Sequence, residues 1–188
     1  MNKVSGLKSD FSYMREEGSR IVIGYGLEKA NDDLWSWYEV YLPKKQTSQL
    51  TLQIVKDAII ADIDDRTVAR ITYGYEWTIL HGTDEGRTVK VWLSKENQSN
   101  FQTKYNRAKT IPESVTYPVT YKISENEETK AAIYEHFADF EELENFVLGG
   151  EDYVEQQYGA GWIEKDSIDW APYEALFPQP ENQESSES

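Results

Sequence analysis

The sequence predicts an α+β fold: a small mixed or antiparallel sheet with about three helices and a disordered acidic tail. Three observations carry that expectation. Runs rich in β-branched and aromatic residues cluster together, and helical patterns intervene irregularly instead of alternating with strands. Three segments place apolar residues at spacings of three and four, as amphipathic helices require. One hairpin is fully signalled, with residues 73–81 and 87–93 alternating around Gly82-Thr83-Asp84-Glu85-Gly86.

The elements follow in order. Residues 1–19 are polar and mixed in charge, with isolated Val4, Leu7, Phe11 and Tyr13, and read as an irregular lead-in. Residues 20–27 (RIVIGYGL) and 35–42 read as strands joined by the turn Asn31-Asp32-Asp33. Alternation in the second strand sets Trp35, Trp37, Glu39 and Tyr41 opposite Ser36, Tyr38, Val40 and Leu42, so both faces expect cover. Pro43 ends this strand, and the switch there divides a β-rich appendage, 1–43, from a main domain, 44–177.

The first helix is expected over 51–63, where Leu52, Val55, Ile59 and Ile63 draw one stripe and Thr51 or Ser48 caps it. Residues 67–72 read as a strand leading into the hairpin. Ser94 caps a second helix, 95–108, with Glu96 at the positive end of its dipole and Phe101, Tyr105 and Ala108 as its buried stripe. Pro112 opens a loop before a strand at 117–124. A third helix opens at Asp139 and carries Phe140, Leu143, Val147, Val154 and Tyr158 on one face. Gly149-Gly150 is expected to break it, at about 1 kcal/mol per glycine relative to alanine. Residues 172–177 suggest a last helical turn, and 178–188 (PQPENQESSES) a disordered tail.

Composition excludes several chemistries. The 188 residues include no cysteine, which removes thiolate nucleophiles, disulfides and cysteine zinc sites. No apolar run approaches the roughly 18–20 residues of a membrane span, and the first residues lack a signal peptide's apolar core. A soluble protein made in the cytoplasm is therefore expected. His81 and His136 stand without a second spaced ligand, no G-x-S-x-G elbow occurs, and Gly24-Tyr25-Gly26 lacks the rest of a phosphate-binding fingerprint. Asp62-Ile63-Asp64-Asp65 fails as a calcium loop, having Thr67 where glycine and Tyr73 where glutamate belong. Paired carboxylates such as Glu127-Glu128 are too common in an acidic chain to mark a glycosidase. No enzyme, catalytic residue, metal or cofactor is expected.

Charge is distributed unevenly. Residues 1–123 have a net charge of +1 and residues 124–188 one of −16, within a total of −15. Residues 139–155 hold seven carboxylates over a helical length of about 25 Å. That is about one per 3.6 Å, half the density of duplex DNA at one per 1.7 Å. The aromatic excess has a focus in Trp35, Trp37, Tyr38 and Tyr41, which are candidates for a subunit interface. Sugar stacking on exposed tryptophans is a further reading of the same excess.

Several segments carry a resemblance. They are Val91-Trp92-Leu93-Ser94 with Glu96-Asn97-Gln98 and Phe101; Pro118-Val119-Thr120-Tyr121; Phe137, Phe140, Leu143 and Phe146; and Gly161-Trp162 with Lys165-Asp166 and Ile168-Asp169-Trp170. With Val55-Lys56-Asp57-Ala58-Ile59 ahead of them, they resemble a poorly characterised domain family of bacteriophage tail-fibre and head-fibre proteins. The resemblance covers about residues 52–173 and rests on packing residues. It departs from the family pattern at Gly149-Gly150, in a longer loop at 109–117, and over 20–42. It implies a virion structural or adaptor protein whose partners are other phage structural proteins, itself a homo-oligomer, with no membrane or direct nucleic-acid binding. The alternative is an acidic phage-encoded inhibitor that mimics nucleic acid at a basic site of a host protein, using Glu141, Glu142 and Glu144.

Overall fold

A computed structural model describes residues 3–44 and 50–177. The chain runs β1 (Lys3–Gly6), β2 (Arg15–Glu17), β3 (Arg20–Lys29), β4 (Trp35–Pro43), α1 (Leu52–Gly74), β5 (Tyr75–Thr78), β6 (Thr88–Val91) and α2 (Lys95–Thr110). It continues through β7 (Val119–Glu125), β8 (Ala132–Phe137), α3 (Phe140–Asp166) and α4 (Ala171–Glu174). All strand pairs are antiparallel, and the fold is α+β, as the clustering of strand signals predicts. None of the described helices is long and apolar enough to cross a membrane.

Two compact units form, Met1–Asp64 with Ile163–Ser188, and Asp65–Trp162. The division therefore falls within α1 and α3 and not at residue 43. The β-rich segment is no appendage, because β3 and β4 supply the surface that the first half of α1 covers. In the first unit Ile21, Ile23 and Tyr25 pack with Val55, Ile59 and Ile63 of α1 and with Tyr173 of α4. The sheet order is β1-β4-β3-β2. Residues 3–19 are thus not a loose lead-in: β1 and β2 are the edges of this sheet, paired on β4 and β3. Their own apolar residues are too few to announce a strand; the inner strands provide the pairing. Gly24 lets the lead-in return close by, since a Cβ there would stand within 2.4 Å of the Ser12 carbonyl oxygen.

The second unit is built on two hairpins, β5–β6 and β7–β8, with α2 and α3. Phe146 lies at its centre, its ring within 4.9–6.0 Å of those of Phe137, Trp77, Phe101 and Tyr75. Three expectations are corrected here. Residues 67–72 are helical, because buried Thr67 and Ile71 continue the four-residue spacing of α1 and outweigh local β propensity. Strand β8 is unexpected, since one of its inward positions holds Glu135 between Ile133 and Phe137 and hides the alternation. Helix α3 runs unbroken through Gly149-Gly150. A Cβ at Gly149 would stand 2.7 Å from the Tyr75 hydroxyl, which donates to the Phe146 carbonyl at 3.2 Å. Gly149 admits that ring to the helix backbone.

Other expectations hold. Ser94 Oγ accepts from the Asn97 amide at 3.2 Å, and Phe101, Tyr105 and Ala108 are the buried residues of α2. Thr51 Oγ1 accepts from the Ile54 amide at 3.3 Å at the start of α1; Ser48, the other candidate cap, and the expected tail at 178–188 lie outside the described residues.

Candidate functional site

The aromatic residues of β4 have partners within their own unit. Trp37 is 2% exposed, and its indole N–H donates to Glu39 Oε1 at 3.0 Å while its ring meets Phe11 edge-on. Glu39 also accepts from Tyr41 and pairs with Arg15 at 2.9 Å. Burial pushes the Glu39 carboxyl up, but hydrogen bonds from Arg15, Trp37 and Tyr41 outweigh it and hold the group below its ordinary value. Trp35 lies under the Lys8 ammonium, Tyr38 stacks on Tyr25, and Tyr41 lies under the Arg20 guanidinium. The four residues do not gather into one exposed patch; three are half-buried, Trp35 and Tyr41 on one face of the strand and Tyr38 on the other.

Of the acidic trio at the start of α3, only Glu141 is exposed. Glu142 approaches His81 Nε2 with both oxygens, at 2.9 and 3.0 Å, and accepts from the Ala138 amide at 2.7 Å. Glu144 accepts from the Tyr105 hydroxyl at 3.0 Å. Asp139 accepts from the Glu142 amide and starts the helix, as its sequence position predicts. The hydrogen bond with Glu142 raises the His81 pKa above its ordinary 6.5.

Beside this pair lies Glu135, 0% exposed. It accepts from Trp77 Nε1 at 2.6 Å, the Leu80 amide at 2.9 Å and the His136 amide at 3.0 Å. A carboxylate held by three N–H donors anchors the β5 end to β8; its oxygens are already engaged as acceptors. His136, on β8, bonds through Nδ1 to Thr120 Oγ1 at 2.8 Å. Among the described residues no group of three or more His, Cys, Asp or Glu is placed to hold a metal ion.

A different feature emerges along α3. Its apolar stripe is buried at Leu143 and Val147 and half-buried at Val154. It then continues outward through Tyr158, 39% exposed, and Trp162, 61% exposed, whose rings stack at 6.4 Å. Where the stripe leaves the core, a groove of about 590 Å³ opens between α2 and α3, with Leu93, Phe101, Val147 and Val154 among its apolar lining. The sequence pattern holds this stripe; its passage from core to surface beyond Val154 is set by the tertiary structure.

The chain matches no family model, and no curated protein or solved structure is significantly similar to it.

Proposed function

We propose that the chain is a bacteriophage virion structural or adaptor protein, fibre- or capsid-associated, acting through protein–protein contacts and not through catalysis. The resemblance over residues 52–173 supplies the class. The observation that supports contact as its mode of action is the exposed Tyr158–Trp162 pair, which continues a core stripe onto the helix surface. Burying one large apolar side chain contributes roughly 1.5–3 kcal/mol, and tryptophan and tyrosine dominate the centres of protein interfaces. A helix face of this kind is one that a partner gains by covering. The partners under this reading are other phage structural proteins, including copies of the chain itself, and the location is the virion.

The inhibitor reading has less support, because Glu142 and Glu144 are engaged within the second unit and Glu141 alone remains of its three carboxylates. The test is the double variant Tyr158→Ser/Trp162→Ser, produced alongside the assembling particle. Its fold should persist, with stability within about 0.5 kcal/mol, as for surface substitutions generally. Its recovery in purified particles should drop about tenfold or more, the consequence of losing about 1.4 kcal/mol or more. Recovery equal to the wild type would contradict the proposal.

A further inference from the structure

We infer that the groove between α2 and α3 seats an amphipathic helix of the partner, with lysines or arginines on the flank that faces α3. The inference rests on the contact reading above and names the partner's chemistry. The two walls are themselves helical ridges. On α2 the lining residues Lys95, Gln98, Ser99 and Gln102 recur at spacings of three, one and three. On α3 they are Phe146, Val147, Gly150, Glu151, Val154 and Glu155, again one face of a helix. The helices run antiparallel past each other, as Tyr105 stacks on Phe140 while the earlier Phe101 meets the later Phe146. Ridges at three- and four-residue spacing on two adjacent helices form the groove into which a third helix packs.

Length and charge select the occupant. The face from Val147 to Trp162 extends about 22 Å at 1.5 Å per residue. It is far longer than a small ligand needs and matches about four turns of helix. Apolar anchors of the partner would enter over Phe101, Val147 and Val154 and continue onto Tyr158 and Trp162. Glu151 and Glu155 stand exposed one turn apart on the α3 side, whereas the α2 side offers Gln98, Ser99 and Gln102, with Lys95 at its beginning. Cations on one flank of the incoming helix, and neutral polar residues on the other, complement that arrangement. A second copy of α3 would instead set these glutamates against their like.

The experiment displays a library of 16-residue helices with leucine fixed on one face at three- and four-residue spacing and Lys, Glu or Gln varied on both flanks. Selection is made against the full chain. The expected result is enrichment of lysine on one flank only. Affinity of the best peptide, read by fluorescence anisotropy, should fall tenfold or more in Ser99→Trp, which fills the groove from an exposed position, and in Glu151→Lys/Glu155→Lys. Both variants change exposed residues, and circular dichroism confirms their fold. Failure to enrich any helix, enrichment of glutamate on the flanks, or affinity indifferent to both variants would overturn the inference. If the groove fails while Tyr158→Ser/Trp162→Ser still abolishes particle incorporation, the contact reading stands and only its occupant is wrong.

Discussion

A Cβ added at Gly161 would stand 2.5 Å from the hydroxyl of buried Thr67, while one added at Gly150 meets nothing nearer than 3.7 Å. Both glycines lie in α3, where alanine is intrinsically favoured by about 1 kcal/mol. Gly150→Ala is therefore expected to stabilise by up to about 1 kcal/mol. Gly161→Ala is expected to destabilise by about 1–3 kcal/mol through overpacking. Urea unfolding of the two variants checks the opposite signs. At Glu135, glutamine keeps one acceptor but turns an NH₂ toward an N–H donor. Glu135→Gln should cost about 1–3 kcal/mol, the penalty of an unsatisfied buried donor, and Glu135→Leu should cost more. His81 gives a pH signature. Its folded-state pKa is raised by Glu142, so the pair's stabilisation is complete below the unfolded value near 6.5 and is lost as pH rises through the folded one. The melting temperature should fall from pH 6 toward pH 8.5, and His81→Gln should flatten that decline. None of these roles was legible in the sequence, because each depends on a neighbour distant along the chain: Trp77 for Glu135, Glu142 for His81, Thr67 for Gly161.

Elements were legible where their signals were local. Helix α2 needed only its cap, its first-turn glutamate and one stripe, all within a single segment. Ser94→Ala should accordingly destabilise by about 1 kcal/mol, measurable as a shift in the urea midpoint without a change in slope. The hairpin of β5 and β6 was equally local. Sequence and structure part where a distant partner decides. Residues 67–72 hold four β-branched side chains, yet Thr67 and Ile71 keep the period of α1 and are buried as helix. Strand β8 carries a glutamate on its buried face, and β1 and β2 exist by virtue of the strands they flank. The glycine pair in α3 reads as a break because the reason for Gly149, the Tyr75 ring, comes from β5. Aromatic density alone marks β4 as a contact face, and within the unit Trp37 there is buried and bonded to Glu39. The stripe on α3 was seen as far as Tyr158, but periodicity cannot say where a core ends.

At the scale of the whole molecule, charge and apolar surface tell separate stories. The −16 of residues 124–188 does not form a file of free carboxylates at the start of α3, since Glu142 and Glu144 have internal partners. Farther along the same helix, Tyr158 and Trp162 set two large stacked rings on the surface, 39% and 61% exposed. Under the contact proposal, Glu151 and Glu155 would steer a basic partner and the aromatic pair would hold it. The central claim is that this face of α3 is covered in the assembled state. A photo-crosslinking amino acid placed at position 162, with exposed Thr83 as the control position, tests it directly in cells producing the particle. The account predicts an adduct from position 162 alone, to a virion structural protein or a second copy of the chain. Equal adducts from both positions, none from 162, or an adduct to a host nucleic-acid-binding protein would contradict it.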